Sequence, residues 1–115
     1  MLAKILSAHF PLEEQINHMT VLMFASAYGT PAILQELINR SANVSAQDMA
    51  GKNCIHVCCA AGKLENFQFL LNIINTNNQE AMLNMPTNGG VTPLMLAVNS
   101  KNAALVQACL AAGMD

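Results

Sequence analysis

The chain has 115 residues, enough for one domain with a continuous apolar core. Hydrophobic residues make up 53% but aromatics only 4%, so that core must come from Ala, Leu, Ile, Val and eight Met, a mix that favours small packed helices over a β-sandwich. Charged residues are 10% of the chain and the formal net charge is −2, which leaves no basic field for phosphate backbones and speaks against direct nucleic-acid binding.

The opening MLAKILSAHF lacks the apolar length and small-residue cleavage pattern of a secretory signal, and no later apolar run reaches the roughly 18 residues that span a bilayer. The expectation is a chain that meets no membrane and stays in a reducing cytoplasm or nucleus, where the sequon Asn43-Val44-Ser45 is silent. Leu2, Ile5 and Leu6 form one face of a short helix, followed by the solvated pair Glu13-Glu14. Thr20 can cap a helix that runs to Gly29, and the cluster Ile33, Leu34, Leu37 and Ile38 carries the stripe of a second helix. A polar turn, Gln47 to Lys52, precedes a helix capped by Asn53 and ending at Gly62, with Phe67, Leu70 and Leu71 on the helix after it. The stretch Asn75 to Glu80 reads as a loop. A second turn, Thr87 to Val91, leads into Thr92-Pro93, a cap followed by proline at the first helical position, and Leu105, Val106, Cys109 and Leu110 mark the last helix. At Gly29 and Gly62 a left-handed backbone is expected, so that the chain can reverse.

These elements repeat. Residues 20–29 align with 53–62 at an offset of 33, and 92–98 align with 53–59 at an offset of 39, so six residues are inserted between the second and third units. Each aligned block is followed by its own apolar cluster. The Thr92-Pro93-Leu94 and Ala97 of the third block, the Asp48, Gly51 and His56 of the second and the closing Ala112-Gly113-Met114-Asp115 are similar to the ankyrin-repeat consensus. The resemblance implies an all-α solenoid of antiparallel helix pairs joined by β-turns. Its expected divisions are a half-repeat cap at 1–14, then repeats at 15–47, 48–86 (with the insertion) and 87–115 (truncated). Gln15 and His18 replace the Asp and Gly of the first turn, for which an irregular conformation is expected.

The resemblance also implies what the module does. Ankyrin repeats present turn tips and the face of their first helices to a protein partner, without catalysis, metal or cofactor. Carried over by position, the tips are Ile16, Asn17 and Met19, then Gln47, Met49, Ala50 and Lys52, then Asn88, Gly89 and Val91; the helix face holds Ala27 and Tyr28, Ala60 and Ala61, and Asn99 and Ser100. This surface is almost uncharged, which suits an apolar or neutral polar partner, and Tyr28 has the chemistry either of an anchor or of a partly buried prop between the first two units. An alternative is a regulatory segment that packs against another domain of a longer protein. The outer face of the last unit has no following unit to bury it, so the chain is expected to belong to a longer array or to associate through that face.

NCIHVCCAAG, residues 53–62, holds three Cys and one His, a composition that suggests zinc. At about 100° per residue, however, Cys54 and Cys58 share one face of a helix while His56 points away, so one short helix cannot wrap an ion with them. Cys58 and Cys59 stand where the family carries Ala-Ala and are expected to be small packed hydrophobes. His56 is expected to be buried, neutral and bonded to loop backbone of a neighbouring unit. Cys54 keeps a redox alternative open, because the first turn of a helix can stabilise a thiolate.

Overall fold

The computed structural model describes residues 15–16 and 19–114. The expected cap at 1–14 and the Asn17-His18 tip lie outside them. Three helix pairs follow one another: α1 (Val21–Tyr28) with α2 (Pro31–Asn39), α3 (Cys54–Ala61) with α4 (Leu64–Thr76), and α5 (Pro93–Asn99) with α6 (Ala103–Ala111). α3 packs between α1 and α5, and α4 between α2 and α6, so the molecule is two helical layers within 38 × 27 × 26 Å. The all-α solenoid expected from the sequence is what forms. Among the described residues, strand pairing is confined to β1 (Gln15–Ile16) and β2 (Met19–Thr20), antiparallel with Gln15 opposite Thr20 and Ile16 opposite Met19. The backbone of the first turn is thus paired despite the loss of Asp and Gly.

The capping pattern explains where the helices start. The Thr20 and Thr92 hydroxyls accept from Met23 N and Met95 N at 3.3 and 3.5 Å, and Asn53 Oδ1 accepts from Ile55 N and His56 N at 3.0 and 3.1 Å. Thr30 and Asn102 do the same for α2 and α6, accepting from Ile33 N and Leu105 N. All three second helices end alike: Ser41, Asn78 and Gly113 take positive φ, and the following N–H reaches back to the carbonyl of Leu37, Ile74 or Cys109. This six-to-one bond satisfies an otherwise orphaned carbonyl. Gly62, at φ 70, closes α3 in the left-handed region as expected. Gly29 does not: at φ −97 it is extended, and what it answers is close approach, since a Cβ there would lie 2.8 Å from Ala25 O.

The stretch Asn75 to Glu80 is a loop only in part. α4 is 13 residues long where α2 and α6 are nine, and it runs through Asn75 and Thr76, so residues 77–79 alone are irregular. Glu80 opens the 3₁₀ segment Glu80–Asn84, of which Met82 and Leu83 are buried.

The core lies between the layers and between successive pairs. Leu34, Leu37, Ile55, Phe67, Leu70, Ile74 and Leu105 are fully buried there, with all four Cys. Neutral amides join the pairs: Asn66 Nδ2 donates to Ser26 O and Gly29 O, both at 3.1 Å, and Asn102 Nδ2 donates to Gly62 O at 3.0 Å. Asn53 Nδ2 reaches Met82 O at 3.4 Å.

Candidate partner-binding surface

The turn tips are built from their own side chains. Asp48 Oδ1 accepts from Ala50 N at 2.9 Å and Lys52 N at 2.8 Å, while Asp48 N donates to Lys52 O. Thr87 performs the same task one repeat later: its hydroxyl accepts from Gly89 N and Val91 N at 3.3 and 3.2 Å, and its own N–H donates to Val91 O. The two tips are then tied together, because Asn88 N donates to Ala50 O at 2.8 Å and Asn88 Nδ2 to Met49 O at 3.0 Å. Gly51 lies at φ 84 with the Asn88 amide so near that a Cβ would stand 2.8 Å from Oδ1.

His56 is the hinge between tip and helix. It is fully buried, and its Nδ1 accepts from Asn53 N at 3.1 Å, completing a reciprocal cap. Nε2 makes no hydrogen bond of standard geometry. Burial lowers the imidazole pKa, opposed by the Met85 and Val91 carbonyls and by Asp48, with Lys52 acting in the same sense as burial. The ring is therefore neutral and buried as expected, but the expected hydrogen bond to loop backbone of a neighbouring unit is not formed, since Nδ1 is engaged by Asn53 of its own unit.

All four thiols are free and buried. Cys54 is wholly buried with Sγ directed at Val44 O, and burial pushes its pKa up to about 12. This overturns the redox alternative: desolvation outweighs the backbone N–H groups of the first turn. Burial likewise raises Cys58, whose thiol donates to Lys63 O. Cys59 is raised first by its contact with Cys109, 4.0 Å away, and then by burial. Among the described residues no three His, Cys, Asp or Glu side chains gather as a metal site would require.

Of the residues carried over to the surface, Met49 is 69% and Tyr28 70% exposed. Ala50, Ala60, Ala61, Gly89 and Asn99 are also exposed. Lys52, Val91 and Ser100 are half-buried, and the Ser100 hydroxyl is occupied with Ala97 O at 2.6 Å. Gln47 and Asn88 are exposed but committed, Gln47 Nε2 to Gly51 O and Asn88 to Met49 O. Ala27 does not present a surface: at 5% exposure it belongs to the core. Ile16 and Met19 contribute paired backbone, and Asn17 lies outside the described residues. Position-by-position transfer misses Phe24, whose ring packs on Tyr28 at a centroid distance of 4.9 Å and 43°. The i, i+4 spacing of the two aromatics is the available signal. It also misses a cavity of about 480 Å³ along the turns between paired helices, bounded by Thr30, Gly62, Asn66 and Asn102.

A stack of turn-helix-helix units with rigid tips and an uncharged helix face defines a repeat solenoid. The ankyrin-repeat family model (three copies) matches residues 2–80 and 22–115, and the chain belongs to that family. It is 31% identical over 96 residues to human neurogenic locus notch homolog protein 4, covering 84% of this chain and 4% of that protein. It is also 31% identical over 87 residues to mouse NF-kappa-B inhibitor zeta (76% and 12%) and over 98 residues to human rabankyrin-5 (85% and 8%). The chain thus spans no more than 12% of the length of these relatives. Ankyrin repeats generally mediate protein–protein interaction.

Proposed function

We propose that this chain is a non-catalytic interaction module that binds a protein partner through its turn tips and the face of α1, α3 and α5. The observation that carries the reading is the exposure of Tyr28 and Met49 on a frame whose own polar groups are largely satisfied: the tips are closed by Asp48 and Thr87 and locked by Asn88. A surface that is already ordered loses little conformational entropy on binding. An aromatic pair, Phe24 with Tyr28, supplies apolar area with a hydroxyl for orientation.

Among the residues assigned to the surface, Lys52 is the one fixed charge, so the partner segment is apolar or neutral. A protein partner in the cytoplasm or nucleus fits the relative named as an NF-kappa-B inhibitor. The repeat divisions that accompany this reading are 15–47, 48–86 and 87–115, preceded by a half repeat at 1–14.

The test is site-specific photocrosslinking from positions 28 and 49, with Gln68 on the exposed side of α4 as the control position. Crosslinks to one partner from 28 and 49 and none from 68 support the reading. The partner's affinity then falls at least about tenfold in Tyr28→Ala, the scale of a binding anchor. A partner captured from 68 alone, or an unchanged affinity in folded Tyr28→Ala and Met49→Lys, refutes it.

A further inference from the structure

The four free thiols do not stand alike. Cys54 Sγ and Cys58 Sγ are each directed at a backbone carbonyl, of Val44 and of Lys63, at 3.5 and 3.2 Å. Cys59 Sγ instead meets Cys109 Sγ at 4.0 Å, sulfur against sulfur, from α3 of the second helix pair to α6 of the third. The two residues are 50 apart in the chain, and both are fully buried. In the preceding seam the equivalent positions, at the offsets of 33 and 39, are Ser26 on α1 and Leu70 on α4, also fully buried. Serine and leucine cannot be bridged, and the Ser26 hydroxyl is spent on Leu22 O at 2.8 Å. Stacking two units therefore does not require a thiol pair at this place. The hydrogen bond within the pair also separates its members in reactivity: it lowers the pKa of Cys109, against the effect of burial, and raises that of Cys59.

We propose that Cys59 and Cys109 are a peroxide-responsive cross-link site, at which a disulfide joins the second helix pair to the third. The Cys109 thiolate attacks one oxygen of the peroxide; an S–O bond forms, the O–O bond breaks, and the departing oxygen takes up the proton that the thiol released, leaving a sulfenic acid. The Cys59 sulfur then attacks the Cys109 sulfur; the S–S bond forms, the S–O bond breaks, and hydroxide leaves as water with the Cys59 proton. Two electrons pass from the thiols to the peroxide, and a small-molecule thiol returns them by exchange. The sulfurs have to close from 4.0 Å to about 2 Å, a movement within reach of two short side chains that each turn about χ1. Cys58 and Cys59 are neighbours about 100° apart around one helix, with Cβ vectors turned away from each other, which favours the partner across the seam. Because both sulfurs are buried, the peroxide meets them when the seam opens locally, so the reaction is paced by that opening and the bond, once made, opposes it.

The test treats the full chain with hydrogen peroxide under native conditions, blocks the remaining thiols with iodoacetamide in urea, and digests without reduction. Trypsin cuts after Lys52, Lys63 and Lys101, which puts Cys59 in peptide 53–63 and Cys109 in peptide 102–115. The expected product is these two peptides joined through Cys59 and Cys109, lighter than their sum by two hydrogen atoms, with Cys54 and Cys58 alkylated. The urea midpoint of the oxidised chain is expected to rise by about 1 M, the scale of closing a long loop set against the usual urea slope. Dithiothreitol returns it, while leaving methionine sulfoxide in place. Cys59→Ser, the residue that the first seam carries there, and separately Cys109→Ala each abolish the linked peptide and the shift, whereas Cys58→Ala, the residue at the equivalent position 25, leaves both. No linked peptide from the folded chain, a link made through Cys54 or Cys58, a bond between Cys109 of two chains on a non-reducing gel, or a midpoint that does not move on oxidation overturns the proposal.

Discussion

Lys101 holds a backbone conformation that its side chain opposes. It lies at φ 65, in the position where the preceding repeat has Gly62 at φ 70. A non-glycine residue in the left-handed region costs roughly 1–2 kcal/mol, and glycine returns about 0.5–1 kcal/mol of that through the greater freedom of the unfolded chain. Lys101→Gly should therefore stabilise the protein by about 0.5–1 kcal/mol, a rise in Tm of roughly 2–5 °C for a domain of this size. Lys101 is exposed, so no packing is lost to confuse the sign. Urea unfolding followed by far-ultraviolet circular dichroism measures the difference. Lys101→Ala is the control, because it removes the same charge and keeps a Cβ in the left-handed region. Equal stabilisation by alanine assigns the gain to charge, and no gain from glycine removes strain at this position as the reason.

Asn66→Ala leaves the Ser26 and Gly29 carbonyls without their donor and is expected to cost about 1–3 kcal/mol, whereas alanine at the exposed Asn72 stays within about 0.5 kcal/mol; chemical denaturation of the two variants checks both. His56 has a folded pKa below its unfolded value near 6.5, so the folded state binds fewer protons than the unfolded one as pH falls through 6.5. Its stabilisation is complete above that pH and is lost on acidification toward the folded pKa; His56→Met, the residue at the equivalent positions 23 and 95, flattens this region of the stability profile. Native protein should resist iodoacetamide at Cys54 at least about a hundredfold relative to urea-unfolded chain, because burial removes both access and thiolate; rapid native labelling, read by intact mass, contradicts the packed-thiol assignment. Phe67→Ala at the seam of α4 is expected to cost about 3–5 kcal/mol, a large share of the stability of an ordinary domain, read as a fall in the urea midpoint followed by circular dichroism.

The helix pairs are legible in the sequence because their signals are local and recur: a hydroxyl or amide at the cap, an apolar cluster after it, and the same order at offsets of 33 and 39. What escapes depends on residues distant along the chain. The insertion reads as a loop because its Asn and Thr residues have weak helical preference, yet Ile73 and Ile74 extend the stripe of α4 and Ile74 is fully buried. A glycine after a helix suggests a left-handed residue at Gly29, but its role is set by the carbonyl of Ala25. Family position alone places Ala27 on the surface, although it is buried. Cys54 shows the same limit in chemistry, since a helix's first turn is visible in sequence and the depth of its burial is not.

The joints between successive helix pairs are made by the amides of Asn66, Asn88 and Asn102 and by packed aliphatic side chains and thiols, with no ion among these contacts. The Arg40–Glu36 pair, by contrast, joins α2 to the residue that caps its own C-terminus. Dissolved salt acts by screening charge, and such joints offer it nothing to screen. Among the described residues, the cohesion of neighbouring units therefore rests on apolar burial and amide hydrogen bonds, the contacts that temperature and denaturant weaken.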